Sequence, residues 1–147
     1  MQKTRLLIAT IIAAAIGFAI HVLYGQGLAM DYVQNAAQEG RLNGILRQPY
    51  PFWLVTLAAA ITTLIPTLGK AILYLVIQDK LSASSNTGRG LLFGLILLAI
   101  DEALLRTPIM SVAVGNPLDI MLVQSIEGWV IPFVTGLVFA HTLPRKV

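Results

Sequence analysis

Several ionisable side chains lie inside long apolar stretches of the sequence, where such groups are rare. Asp101, Glu102 and Arg106 fall in one stretch, and Gln124 and Glu127 fall in the next. An ionisable side chain at the centre of a bilayer costs roughly 2.5–3.5 kcal/mol even on the gentler insertion scales, so it needs a compensating partner. These five residues are therefore the first candidates for chemistry.

The depth of these residues follows from helix geometry. A helix rises about 1.5 Å per residue, and the hydrocarbon core of a bilayer is roughly 30 Å thick. Counted from Gly90, Asp101 and Glu102 lie about 17 Å into that core. Counted from Pro117 in the opposite direction, Glu127 lies about 15 Å deep. The sequence therefore predicts three carboxylates in one central layer.

Residue spacing predicts which of these groups face each other. Glu102 and Arg106 are four residues apart and share a helix face, and Gln124 and Glu127 are three apart and share another. A short turn makes the two helices antiparallel neighbours, so we expect Arg106 to bridge the two glutamates. Asp101 points about 100° away from Glu102 around the helix.

The charges in this layer do not balance, because three acids stand against one arginine. Either a carboxylate holds a proton, or a further cation such as His21, Lys70 or a bound ligand joins the site. A titratable acid at mid-depth is what a proton relay requires. The structural alternative is a charge bridge, Glu102–Arg106–Glu127, that only locks two helices together.

Other side chains reach the same layer and are expected to line a pocket if one exists. His21, Thr62 and Thr63 lie at a similar depth, and Trp129 is deeper than the interfacial position that tryptophan usually takes. A metal site is not expected, because His21 and His141 belong at opposite faces of the membrane.

The composition indicates that the apolar stretches cross a membrane. Of the 147 residues, 56% are hydrophobic and only 12% are charged, whereas soluble domains carry about 25% charged residues. The net charge is +3, but the basic residues are scattered, so nucleic acid is not an expected partner. The absence of cysteine excludes disulfides, thiolate metal sites and iron–sulfur clusters. No cofactor is expected.

The hydrophobic pattern predicts an all-α integral membrane bundle, with one domain over residues 1–147 and four transmembrane helices. The first helix is predicted to end at the Gly-Gln-Gly sequence of residues 25–27, and the third to bend at Pro108. The fourth is expected to begin with Asn116 as its N-cap and Pro117 as its first residue. The predicted spans cover about residues 5–24, 52–77, 90–114 and 117–141.

Residues 28–46, between the first two spans, are predicted to contain a short amphipathic helix on the outer side. Apolar residues recur there at helical spacing while polar residues fill the other faces. Gly40 and Gly44 limit the length of this helix. An irregular loop is the alternative.

The positions of lysine and arginine predict the orientation, since cytoplasmic loops carry an excess of both. With the N-terminus inside, six basic residues lie on the cytoplasmic side and two on the outer side: Lys3, Arg5, Lys80, Arg89, Arg145 and Lys146 against Arg41 and Arg47. Both termini are therefore predicted to be cytoplasmic, in a multi-pass protein of the cell inner (plasma) membrane. The first apolar stretch continues past residues 13–15 without a polar region, so an uncleaved span is expected rather than a secretory signal.

These features lead to three hypotheses of different classes. The first is a small transport-type membrane protein whose acidic cluster handles protons, cations or a polar substrate. Because four spans enclose little cavity, it is expected to act as a homo-oligomer or within a larger membrane complex. The second is a non-catalytic accessory or assembly subunit whose buried charges lock helices together. The third is a membrane enzyme that acts on a lipid or isoprenoid through an acid and Arg106, and it is less favoured because no nucleophile–base pair is visible.

Overall fold

The computed structural model describes residues 2–42, 52–101, 104–113 and 115–143, and over these ranges every regular element is a helix. The prediction of an all-α chain is therefore confirmed for this part of the protein. The helices are α1 (Gln2–Ile20), a π-helical segment (His21–Ala29), α2 (Met30–Gln38), α3 (Phe52–Ile77), a 3₁₀ turn (Gln78–Lys80), α4 (Asn86–Ile100), α5 (Arg106–Ala113) and α6 (Leu118–Thr142).

The first helix does not end at residues 25–27, so that prediction is wrong. α1 runs without a break into the π segment and on into α2. The glycines there stay helical, because positive φ angles occur only at Gly40 and Gly115 among the described glycines. The wider π-helical turn absorbs the Gly-Gln-Gly sequence, and such turns are found frequently at functional sites. Gly40, with φ of 71°, is the residue that ends the helix.

α2 lies where the amphipathic helix was predicted, although it continues from α1 and is not a separate element. Its residue Ala36 is fully buried. The hydroxyl of Tyr32 and the guanidinium of Arg41 both donate to Oδ2 of Asp119, at 2.6 and 2.8 Å. These contacts tie α2 to the first turn of α6.

The third predicted span is not one bent helix. α4 ends at Ile100, and α5 begins only at Arg106. Pro108 explains the second boundary, since its ring would clash with the carbonyl of Leu104 if the helix extended further back. Pro108 is the third residue of α5. Its missing N–H removes no hydrogen bond there, because the N–H groups in the first turn of a helix have no partner within the helix.

α6 begins one residue later than predicted, and its cap differs from the prediction. Pro117, with φ of −58° and ψ of 154°, occupies the N-cap position and makes no side-chain cap bond. Asn116 instead donates its side-chain amide to Oγ of Ser111 at 3.0 Å. The preceding Gly115, with φ of 81°, turns the chain between α5 and α6.

Glycines allow α4 and α6 to pack at very short range. A Cβ atom at Gly136 would lie 2.2 Å from the carbonyl oxygen of Gly90, and one at Gly94 would lie 2.7 Å from Cα of Phe133. α4 therefore packs along α6, while α1 contacts both α3 and α6. α3 and α6 pack little against each other.

The buried core is concentrated at one end of the helix bundle, where α1 begins and α6 ends. We call it the closed end. Tyr74, Phe93 and Phe139 are almost completely buried there. Their ring centroids lie 5.0 to 6.2 Å apart, within the range that favours aromatic pairs. These three rings are called the aromatic layer below. The opposite end, which carries α2, is the α2 end.

Two helices within the described ranges are long and apolar enough to cross a membrane, Lys3–Gln38 and Leu118–Thr142. Large apolar side chains also lie exposed along α1, α3, α4 and α6, among them Leu7, Ile11, Leu57, Ile65, Ile72, Leu95 and Leu122. In water, an apolar surface of this extent marks an interaction with a protein or a membrane.

The close contact between α4 and α6 can be tested with Gly136→Ala. The new methyl group would meet the carbonyl of Gly90, so we expect a loss of about 1–3 kcal/mol from overpacking. Thermal unfolding of the purified protein in detergent measures this loss.

Gly69→Ala is the matched control, because nothing lies within 4 Å of a Cβ at that position. Removing a helical glycine there should raise stability by roughly 0.5–1 kcal/mol. Equal effects of the two substitutions would contradict the close helix approach.

Candidate functional site

A pocket of about 230 Å³ lies between α1, α3 and α6. One stripe of each helix forms its wall, because apart from the adjacent Pro66 and Thr67 the lining residues of each helix follow one another at spacings of three or four positions. We call it the central pocket. Its lining residues are Ala13, Gly17 and His21 of the N-terminal helix, Thr63, Pro66, Thr67 and Lys70 of α3, and Glu127, Ile131 and Thr135 of α6.

Small residues on α1 create the space for this pocket. Ala13 and Gly17 present almost no side chain, so the three helices can surround a cavity rather than interdigitate. A Cβ atom at Gly17 would lie 3.9 Å from methyl groups of both Ile131 and Thr63. The three helices therefore meet in ordinary van der Waals contact at Gly17, beside the cavity that they enclose.

His21 and Glu127 form a polar pair on the pocket wall. Nδ1 of His21 lies 2.7 Å from Oε1 of Glu127, and the side chains are 36% and 22% exposed. The other ring nitrogen, Nε2, lies 3.3 Å from the side-chain amide of Gln26. In the neutral ring, this arrangement fits Nδ1–H donating to the carboxylate while Nε2 accepts from Gln26. A proton added to the ring converts the hydrogen bond into an ion pair.

The backbone of the π segment makes room for the carboxylate. A Cβ atom at Gly25 would lie 2.1 Å from Oε2 of Glu127 and 3.1 Å from Nδ1 of His21. Glu127 therefore occupies the space that any larger residue at position 25 would take. The hydroxyl of Tyr24 donates to the carbonyl of Val123 at 2.9 Å, which holds the π segment against α6.

A second ion pair involves the pocket residue Lys70. Its Nζ donates to Oδ2 of Asp101 at 2.5 Å, and the side chains are 22% and 33% exposed. Asp101 follows the last residue of α4, so this contact joins α3 to the end of α4. Two other lining residues of α3 precede Lys70 in the sequence. Pro66 lies within the helix, and the hydroxyl of Thr67 donates to the backbone carbonyl of Thr63 at 2.6 Å.

The structure brings several predicted site residues to the pocket and leaves others elsewhere. His21, Thr63 and Glu127 line it, and Asp101 contacts it through Lys70. Gln124 accepts a hydrogen bond from Oγ of Ser111 at 3.2 Å and does not line the pocket.

The predicted bridge from Glu102 through Arg106 to Glu127 stays a prediction, since Glu102 and the side chain of Arg106 lie outside the described part of the protein. The side chain of Thr62 also lies outside it. Trp129 is described but does not line the central pocket.

Sequence reasoning missed Thr135 and Gly25, whereas Lys70 was named only as a cation that could balance the acids. Thr135 lies eight residues after Glu127, and Lys70 lies seven after Thr63, so helical spacing from the predicted residues pointed to both as lining residues. Gly25 had no comparable signal, because a glycine that clears space for a distant carboxylate looks like any other glycine.

The chemistry open to this pocket is that of proton exchange and polar binding. It combines an imidazole, a carboxylate and an ammonium group with threonine hydroxyls. Among the described residues, no three His, Cys, Asp or Glu side chains come together as a metal site would require.

Gly25→Ala tests the role of the π segment. The added methyl group should push the Glu127 carboxylate away and break its bond to His21, because the two groups compete for the same space. The ¹⁵N shifts of the His21 imidazole, recorded in a protein with His141→Gln, should move toward those of a solvated ring.

Gly27→Ala is the control in the same segment, where the nearest atom to a new Cβ is the carbonyl oxygen of Val22 at 3.5 Å. It should leave the His21 spectrum unchanged. An unchanged spectrum in Gly25→Ala as well would show that Gly25 does not hold the carboxylate in place.

Comparison of the chain with protein-family models, with curated proteins and with solved structures gives no match. The chemistry of the central pocket is therefore assigned from its own side chains. Their distinguishing feature is a carboxylate and an imidazole that share a hydrogen bond between apolar helices.

Proposed function

We propose that the protein is an integral membrane protein of the transport type with four spans, in which the central pocket binds and releases protons together with a small polar or cationic substrate. The observation that carries the proposal is the His21–Glu127 pair, which faces a polar pocket about halfway along long apolar helices. In this proposal α1, α3, the α4–α5 pair and α6 are the spans. The α2 end faces outward, both termini are cytoplasmic, and the membrane is the cell inner membrane.

The helix lengths and exposed surfaces support the membrane assignment. Lys3–Gln38 and Leu118–Thr142 pass the length and hydropathy expected of a span. The 26 residues of α3 contain one charged residue, Lys70, and a span needs about 20 apolar residues. The exposed leucine and isoleucine side chains on these helices are suited to contact with lipid chains.

The charge state of the His21–Glu127 pair supports a role in proton handling. With a neutral ring the pair carries one negative charge, and with one added proton it carries none. A proton gained or lost by this pair therefore changes the net charge beside the pocket. The pocket has room for several water molecules. Water in it would connect the pair to Lys70.

The unequal packing of the two ends supports alternating access. The aromatic layer follows the pocket by one helical turn, since Tyr74 comes four residues after Lys70 and Phe139 four after Thr135. The pocket is therefore sealed at the closed end, whereas His21 is partly exposed. Opening of the closed end requires one helix to move. α3 has few backbone contacts with α6, but its Tyr74 belongs to the aromatic layer, so that ring has to leave Phe93 and Phe139 when α3 moves. A second copy or a partner protein would complete the substrate path.

Glu127→Gln in proteoliposomes is the direct test. A glutamine keeps the shape of the side chain but holds no titratable proton, so flux driven by a pH gradient should fall to the level of empty liposomes. A pH-sensitive dye trapped inside the vesicles measures this flux.

Glu39→Gln serves as the control, because this carboxylate is exposed at the α2 end and pairs only with Arg41 among the described side chains. It should retain full flux. If Glu127→Gln inserts, folds and transports as well as the wild type does, the proposed role of the pocket is wrong.

A second candidate function is an accessory or assembly subunit with no turnover. It is favoured by one observation, that both pocket ion pairs join different helices: His21 to Glu127 and Lys70 to Asp101. Ion pairs of this kind can hold helices together without further activity.

A double-mutant cycle separates this candidate from transport. For a structural lock, His21→Gln and Glu127→Gln should each lower the Tm, and the double variant should lower it by less than the sum, since one bond is lost in all three. Flux that disappears while the Tm stays near that of the wild type would argue for transport. A Tm loss in a protein that shows no flux at any pH would argue for the lock.

A further inference from the structure

We propose that the substrate of the central pocket is a small zwitterion, with its ammonium group at Glu127 and its anionic group at Lys70. This inference rests on the proposed function, since it names the ligand class of the same pocket. It follows from the placement of unlike charges on the walls of one small cavity.

At one site the pocket offers a hydrogen-bond acceptor with unused capacity. Oε1 of Glu127 receives the His21 bond, but a carboxylate has about four lone-pair positions on its two oxygens. Oε2 lies against the backbone of Gly25, and the side chain of Glu127 lines the pocket. An ammonium group entering the pocket would find a carboxylate that is already oriented by His21.

At a second site the pocket offers donors with unused capacity. Lys70 has three N–H donors, of which one bonds Asp101. The Asp101 contact fixes the position of Nζ, and among the described residues no other bond to Nζ is present, so its other hydrogens point to a ligand in this proposal. A carboxylate or similar anionic group of the ligand would accept them.

The size of the pocket disfavours a ligand with a single charge. In about 230 Å³, a cation bound at Glu127 is close to the Lys70 ammonium, and an anion bound at Lys70 is close to the Glu127 carboxylate. Charges between apolar helices are poorly screened, so each of these ligands meets a like charge. A zwitterion meets an unlike charge on the pocket wall at both positions, because Asp101, which offsets part of the charge of Lys70, does not line the pocket.

The walls between the two charged sites fit a short hydrocarbon spacer. Ala13, Gly17, Pro66 and Ile131 present apolar atoms there. The pocket volume of about 230 Å³ has room for a ligand in the size class of a short amino acid. A large or rigid ligand would not fit without movement of α3.

Binding to the purified full-length protein in detergent tests the inference. The probes are glycine, 3-aminopropanoate, 4-aminobutanoate and 5-aminopentanoate, which share two charged ends and differ in the spacer. Butylamine and butanoate, alone and as an equimolar mixture, are the singly charged comparisons at equal ionic strength. We expect at least one zwitterion to raise the Tm in a saturable way, and the singly charged probes to raise it less.

Variants assign the two ends of the ligand. Glu127→Gln should abolish the advantage of the zwitterion over butanoate. The double variant Lys70→Gln/Asp101→Asn removes both charges together, so no unpaired charge is left to unfold the protein, and it should abolish the advantage over butylamine. Glu39→Gln should retain both advantages.

The outcomes separate this inference from the proposed function. If no zwitterion in the series raises the Tm, or if butylamine equals the best of them, the zwitterion inference is overturned, even in a protein that moves protons in liposomes. If the best zwitterion also stabilises both pocket variants as well as it stabilises the wild type, it binds elsewhere and the inference is again overturned. Specific zwitterion binding in a protein without flux would support the ligand class and overturn transport.

Discussion

The carboxylate of Glu127 is the constraint on which the rest of the arrangement depends. A charged group between apolar helices is expensive unless it is bonded to a partner, and the bond to His21 supplies that partner from a helix 106 positions away in sequence. The bond fixes the register of α1 against α6, because a shift of one residue would turn either side chain away. Tyr24 bonds the backbone of α6 one turn from the same contact. At the α2 end, polar groups therefore hold the N-terminal helix against α6.

The backbone of the N-terminal helix also accommodates the Glu127 carboxylate. A helix interior with Gly25 and Gly27 is weaker by about 1 kcal/mol per glycine than one with alanine, and a π-helical turn is rarer than an α-helical one. Gly25 lies opposite Glu127, whose Oε2 would collide with any Cβ at that position. The cost of this glycine is offset by the bonded carboxylate that it admits.

Much of the helical content could be predicted from the sequence, and the wrong predictions of helix boundaries have a common cause. The bounds of α3 follow from an apolar run that begins after Pro51, and those of α6 from a run that begins after Pro117. Hydropathy measures composition, however, and it does not distinguish a helix that continues through residues 25–27 from one that stops there, or a bend from a break near Pro108. For the site, periodicity predicted which side chains share a face and a depth. It does not predict which other helix supplies the partner. The sequence predicted Arg106 at Glu127 and named His21 and Lys70 only as further cations, whereas the structure pairs His21 with Glu127 and Lys70 with Asp101.

The two ends of the helix bundle differ: the closed end is densely packed, and the pocket with its polar pairs lies toward the α2 end. At the closed end, Gly90, Gly94 and Gly136 let two helices touch through their backbones, and the aromatic layer fills the space beside them. Packing of this density resists any shift of one helix against another. Toward the α2 end, small residues leave a cavity and polar pairs replace buried apolar contacts, which lowers local stability. Segments of low local stability are those that move in binding and transport. The closed end holds α4, α6 and, through Tyr74, also α3, so a movement of α3 around Lys70 has to displace that ring from the aromatic layer.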